Sequence, residues 1–185
     1  MRNVTTTVAL GLILCVAGSL RGEDKPASTP EEQAAIEQIR KLGGQVLEVA
    51  QNDHHLEVSY YTANTKVNDG ALVPLKALLG RLVGVNARGT DITDAGLVHL
   101  KDAKGLVRLH LEKTKITDAG LAHLKGLDNL EYLNIYSTAV TDAGLKHLEG
   151  LKKLKKLYVW ETKVTDDGVA ALKKALPDLQ VIRGQ

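Results

Sequence analysis

The chain has 185 residues, 44% of them apolar, with 24 basic and 22 acidic side chains for a formal charge of +2. So even a balance argues against nucleic acid as a partner, and a single cysteine excludes an intrachain disulfide framework. The length suits one domain with one core and is small for two.

In chain order, residues 1–22 read as an export signal. Arg2 gives a short positive end, and Val8 to Ala17 is an apolar run too short to span a bilayer as a helix. Ala17 and Ser19 offer a small-x-small cleavage site, with Gly22 as the alternative. Cys15 lies behind Leu14 rather than behind a small residue, so lipid anchoring there is not expected. Cleavage would remove Arg2, Arg21 and no acid, leaving a neutral chain without a thiol, placed in a periplasm, at a cell surface or outside the cell.

Residues 23–29 are polar and read as a flexible leader. Residues 30–64 read as an N-terminal cap, beginning with Thr29-Pro30-Glu31-Glu32 as a helix start: a hydroxyl N-cap, proline at the first helical position and a glutamate placed for a capping box. Ala35, Ile36, Ile39 and Leu42 form the apolar stripe, and Gly43 or Gly44 ends the helix. Val46, Leu47 and Val49, then Leu56, Val58 and Tyr60, read as two strands around a turn at Asn52-Asp53, the second strand opening the main sheet.

From residue 65 the chain repeats. Threonine recurs at 90, 114, 138 and 162, each time followed by a variant of Thr-x-Ile/Val-Thr-Asp-Ala-Gly-Leu, which divides the chain into a degenerate copy 65–89 and the units 90–113, 114–137, 138–161 and 162–185. Within one unit, Leu121, Leu124 and Leu127 suit a helical or 3₁₀ turn, whereas Leu133 and Ile135 suit a strand with one buried face. No unit can bury its own apolar side, so neighbours must stack into a solenoid with one continuous core. Extra residues fall between Leu78 and Leu82 and in Ala175-Leu176-Pro177-Asp178-Leu179, as expected of terminal copies.

The segment Leu-Glu-Tyr-Leu-Asn-Ile-Tyr-Ser-Thr from Leu130 resembles the leucine-rich repeat, with Thr138 where most such repeats carry Asn or Cys. The Ile/Val-Thr-Asp-x-Gly-Leu phrase is similar to the cysteine-containing subclass of F-box receptors and to secreted bacterial repeat proteins. No F-box-like segment is present. The resemblance implies an α/β solenoid with parallel strands on a concave face and short helices on a convex one, and a recognition function without fixed partner.

Asp94, Asp118, Asp142 and Asp166 are read as structural, the threonine and aspartate before each short helix accepting hydrogen bonds from its first amides, rather than as a calcium ladder. Gly96, Gly120, Gly144 and Gly168 allow close approach between turns. His99, His123 and His147 share one repeat position on the helix side, and too few ligands accompany them for structural zinc.

Alternate strand positions must point away from the core. These give Gly84, Asn86 and Arg88; Arg108, His110 and Glu112; Tyr132, Asn134 and Tyr136; Lys156, Tyr158 and Trp160; then Val181 and Arg183. Four of the chain's six aromatic residues fall there in two adjacent repeats, ringed by Arg108, His110, Lys156 and Arg183, the composition of a binding hot spot. A second surface is Lys146, Lys152, Lys153, Lys155 and Lys156, suited to solvation or to an anionic envelope polymer.

No nucleophile-elbow serine, cysteine nucleophile or phosphate-cradling glycine loop occurs, and Glu112 and Glu161 are poorly matched for paired acid work, so no enzyme, metal or cofactor is expected. The expectation is an exported module, monomeric or weakly associating, that binds a protein or peptide through Arg108, His110, Glu112, Tyr132, Asn134, Tyr136, Lys156, Tyr158, Trp160 and Arg183. A carbohydrate module, whose ligand would lie on flat rings beside Asn134 and Glu112, is the alternative, with a purely structural role as a third.

Overall fold

The computed structural model describes residues 28–50, 53–61, 63 and 66–184. The expected export signal, most of the leader, and Asn52, Thr65 and Gln185 lie outside the described residues.

Helix α1 (Pro30–Lys41) starts where the sequence places it. The Thr29 hydroxyl accepts from the Glu32 amide at 3.1 Å while the Glu32 carboxylate accepts from the Thr29 amide, a complete capping box. Gly43, at φ 82°, ends the helix in a conformation that favours glycine. Strands β1 (Gln45–Glu48) and β2 (Leu56–Ser59) form an antiparallel hairpin, and β2 continues in parallel into β3 (Leu82–Asn86). Parallel pairing then runs through β4 (Arg108–His110), β5 (Tyr132–Asn134), β6 (Lys156–Tyr158) and β7 (Gln180–Ile182), giving among the described residues one seven-stranded sheet in sequence order.

Between strands the chain crosses behind the sheet. A 3₁₀ helix (Asp69–Leu78) makes the first crossing, followed by short helices α2 (Asp94–Leu97), α3 (Asp118–Ala122), α4 (Asp142–Leu145) and the longer α5 (Asp166–Ala175). Leu97, Leu100, Leu106, Leu109, Leu121, Leu124, Leu133 and Leu157, among others, are 0% exposed and form a single core between strands and helices. At about 1.5–3 kcal/mol per buried aliphatic side chain, this core supplies the main drive to stack the units.

The aspartate of the repeated phrase acts differently from expectation. It does not bind its own helix but the next repeat. Asp94 accepts from both the amide and the hydroxyl of Thr117, at 2.7 and 2.6 Å, and Asp118 and Asp142 do the same for Thr141 and Thr165. Asp69 begins the series at Thr93. The threonine in turn caps its own helix: the hydroxyls of Thr93, Thr117 and Thr141 accept from the amides two residues on. The glycine makes room, since a Cβ on Gly96, Gly120, Gly144 or Gly168 would overlap the aspartate of the preceding repeat. Thr-Asp-Ala-Gly is therefore a clamp between repeats. Asp166, in the last unit, pairs with Arg183.

The other invariant threonine closes the strand. Thr90, Thr114, Thr138 and Thr162 each donate to the carbonyl three residues back, at 2.6–2.7 Å. The position just before it, occupied by Gly89, Lys113, Ser137 and Glu161, has φ between 51° and 69° in every unit. At the opposite end of the strands, three of the five lysines read as a second surface are tied to nearby turns and side chains. Lys152 donates to the carbonyls of Glu149 and Ala175, Lys153 to Asn129 and Lys155 to Glu131.

The cap is braced by Arg81, which the sequence did not single out. It lies in the loop holding the first extra residue, and its guanidinium donates to the His54 carbonyl, the Ser28 hydroxyl and Glu32, joining hairpin, helix and first repeat. Tyr60, 1% exposed, donates to the Ala71 carbonyl, and burial pushes its hydroxyl well above the ordinary phenol range.

Candidate functional site

The open face of the sheet is built by period-two alternation in strands held in register. Leu109, Leu133 and Leu157 pair across the sheet and point inward, so their flanking residues point outward in three columns. One column runs Gly84, Arg108, Tyr132, Lys156 and Gln180, and the next Asn86, His110, Asn134, Tyr158 and Ile182. The third, just past the strand ends, holds Arg88, Glu112, Tyr136, Trp160 and Gly184.

Parallel in-register strands lie about 4.8 Å apart, close enough for aromatic residues in neighbouring strands to pack on one another. Tyr136 and Trp160 stack with centroids 5.0 Å apart and planes at 19°. His110, Tyr132 and Tyr158 form a diagonal chain, with centroid separations of 4.7 and 5.3 Å and tilts of 35° and 42°. Burial raises the titration point of the Tyr132 hydroxyl, with Tyr158 and Glu112 nearby adding to it. Trp160 stays 47% exposed at the end of the ladder, resting on the backbone of Gly184.

One expected member of the site, Arg183, is elsewhere, and Val181 does not take the outward position expected for it. Arg183 turns to the clamp edge, where it pairs with Asp166 and donates to the Val164 carbonyl at 3.2 Å. Val181 pairs with Leu157 and faces inward, so Gln180 and Ile182 occupy the open face. The extra residue before Leu179 is absorbed in the loop, and the sheet keeps its 24-residue register; the sequence offset had carried the insertion into the strand. Glu112 lies in the outward column but is not exposed. It is 4% accessible, with Oε1 3.2 Å from Nδ1 of His110 and Oε2 buried without a hydrogen-bond partner among the described residues. At this burial Glu112 contacts His110 and presents almost no surface to a partner.

Asn134 is also occupied, its side-chain oxygen accepting from the Tyr136 amide at 3.0 Å. Arg108 crosses the gap left by Gly84 and pairs with Glu57 of β2, its Nε 3.0 Å from Oε1. Beside this pair lies a depression of about 250 Å³ lined by Gln45, Leu47, Ser59, Asn86 and His110 among others, a part of the face contributed by the hairpin that alternation in the repeats alone did not reveal. Among the described residues no group of three or more His, Cys, Asp or Glu could hold a metal ion. His99 is held below the ordinary histidine range, chiefly by desolvation and then by Lys76, and its buried Nδ1 has no hydrogen-bond partner among the described residues. No described helix is long and apolar enough to cross a membrane.

A one-sheet solenoid of 24-residue strand-and-helix units with this inward leucine pattern has the leucine-rich-repeat fold. Solved structures that share it include an internalin (inlF) from Listeria monocytogenes, with TM-score 0.52 and 23% identity over 60% of this chain and 30% of that one. They also include the leucine-rich-repeat ectodomain of the receptor kinase SOBIR1 from Arabidopsis thaliana, with TM-score 0.53 and 14% identity over 84% of this chain and 92% of that one. The chain thus spans less than a third of the internalin's length. No protein-family model and no curated protein matches the sequence.

Proposed function

We propose that this chain is a non-catalytic recognition module that binds a protein or peptide segment on its open face, through Tyr132, Tyr136, Tyr158, Trp160 and His110. The clustering of these rings in adjacent repeats carries the reading, because a solenoid needs no aromatic residue there to fold: the same outward positions hold Gly84, Asn86 and Gln180 in other units. The fold is shared with an internalin and a receptor ectodomain, which agrees with such a role. The expected export signal would place the module outside the cytoplasm.

The arrangement of the rings favours polypeptide over sugar. A sugar face stacks on a ring lying flat toward solvent, whereas Tyr136 and Trp160 spend facing surfaces on each other and the tyrosine chain is tilted. Edges and hydroxyls remain for a partner, and those suit peptide groups. Of the polar companions expected of a sugar site, Glu112 is buried and the half-exposed Asn134 has its side-chain oxygen engaged by the Tyr136 amide.

Trp160 is the only tryptophan and provides the test. A random peptide library is panned on the wild-type chain and on a Tyr136→Ala, Tyr158→Ala, Trp160→Ala variant, and selected peptides are titrated against wild-type fluorescence. Peptides that shift Trp160 emission and do not bind the folded variant are expected. Selection of the same peptides by both proteins would defeat the reading, and binding of a glycan array in the same ring-dependent way would replace it with the carbohydrate alternative.

A further inference from the structure

Resting on that recognition role, we propose that the partner segment is acidic and lies extended and diagonally over the open face, with two carboxylates bracketing apolar side chains. The cations of this face carry the inference. Arg108 is already neutralised by Glu57. Arg88, Lys113 and Lys156 are exposed and have no carboxylate partner among the described residues. Two of them lie on rings instead, the Arg88 guanidinium 4.9 Å from the Tyr61 centroid and the Lys113 ammonium 5.5 Å from that of Tyr136. A cation on an aromatic face is positioned yet keeps its charge for a partner. Glu112 is buried beside His110, and Glu161, exposed at the repeat position of Lys113, makes no ion pair with these cations among the described residues, so the three cations outnumber the one exposed acid. The outcome is a positive surface on a chain whose charges otherwise nearly balance.

Register then sets the spacing. From the strand of Arg88 to that of Lys156 is three strand steps, or about 14 Å, and the two lie four residues apart along the strand direction, about 13 Å. The diagonal is about 19 Å, which an extended peptide covers in roughly six residues. An even offset puts both acids on the same side of the peptide. By register the side chains two and four places along fall near His110 and between Asn134 and Tyr132, where the buried Glu112 carboxylate disfavours another acid and the neighbouring rings accept an aliphatic group.

The experiment uses the whole chain and synthetic peptides of the form Ser-Asp-Thr-Val-Thr-Val-Thr-Asp-Ser, read by Trp160 fluorescence at 0.05 and 0.15 M salt. Controls replace both Asp by Asn, replace both by Lys, or move both acids by one place so that they face away from the valines' side. The acidic peptide should bind about tenfold tighter than each control, the scale of two or three screened ion pairs, and the margin should shrink with salt. An Arg88→Ala, Lys113→Ala, Lys156→Ala variant should bring the acidic peptide down to the Asn peptide and leave the Asn peptide unchanged. Equal binding of acidic and Asn peptides, equal binding of the displaced-acid peptide, or preference for Lys would each overturn the proposal. So would dextran sulfate binding more tightly than the peptide and independently of the rings, which would point to a polyanion. If the charge variant is silent while the ring variant loses the peptides, only the acidic-partner inference falls; if the ring variant binds normally, the recognition role falls with it.

Discussion

Two surfaces of the same solenoid differ in how they use repetition. Along the clamp edge the same threonine, aspartate and glycine return in each unit, and each set bonds to the unit before it and after it. Along the open face each unit is different: Arg108-Leu109-His110, then Tyr132-Leu133-Asn134, then Lys156-Leu157-Tyr158. A residue that must contact its own counterpart one repeat away is fixed by the stacking geometry, whereas a residue facing solvent is not. Sameness between repeats therefore marks what holds the stack together, and difference marks what a partner can read.

That contrast can be broken most severely from the core beneath both surfaces. Leu121→Asp, at a position with 0% exposure, should unfold the domain outright, because the carboxylate has no partner there. A cooperative melt at the wild-type temperature, by circular dichroism, would contradict the inward register. Next in size, Asp118→Ala removes both bonds to Thr141 and should cost about 2–4 kcal/mol, as expected for two hydrogen bonds to a charged group. Gly144→Ala, which drives a methyl into the same carboxylate, should fall in that range too, and denaturant melts in which either variant matches wild type would end the clamp account. Arg81→Ala should cost about 1–3 kcal/mol and raise hydrogen exchange in α1 before the repeats are affected; uniform exchange along the chain would show that the brace is not local.

On the open face the effect should be smaller, which sharpens the comparison. Tyr158→Ala should destabilise by about 1 kcal/mol, the value of an aromatic contact, while removing peptide binding. A loss as large as that of Asp118→Ala would make the ring ladder a structural element. The smallest effects are those of pH. Hydrogen bonds from Thr165, first its hydroxyl and then its amide, hold Asp142 below the ordinary aspartate range, so its contribution is present above that range and is lost as pH falls through the lowered value. His99 is also lowered, chiefly by desolvation, so the fold favours its neutral form, and stability declines as pH drops below the ordinary histidine range. His99→Gln should flatten that decline in melts between pH 7 and 5, and an unchanged slope would assign it to other groups.

Much of this architecture was legible before any coordinates. The period located the units, the leucine spacing separated strand from helix, and Thr29-Pro30-Glu31-Glu32 located the start of α1. The outward columns for β4 to β6 followed from alternation. What failed had a common cause. Asp94 looked like a local helix cap because local offsets are what a sequence displays, while its actual partner, Thr117, lies 23 residues on. Arg183 was given to the open face because an insertion was carried into β7, whereas the loop took up the extra residue and preserved the sheet pairing. Glu112 has an outward parity and is still buried, with one carboxylate oxygen 3.2 Å from His110 Nδ1, which alternation by itself does not reveal.

By itself the sequence determined that the chain is a stack of like units with a leucine core, since an amphipathic repeat has no other way to bury its apolar side. It also determined which strand positions alternate toward solvent. Only the tertiary structure decided which outward residues remain free. Arg108 was withdrawn by Glu57, Glu112 by burial and Arg183 by Asp166, leaving Arg88, Lys113 and Lys156 around the rings. The reason is physical: parity is set by the covalent backbone, whereas pairing depends on which side chains the stacking brings within a few ångströms across tens of residues of sequence.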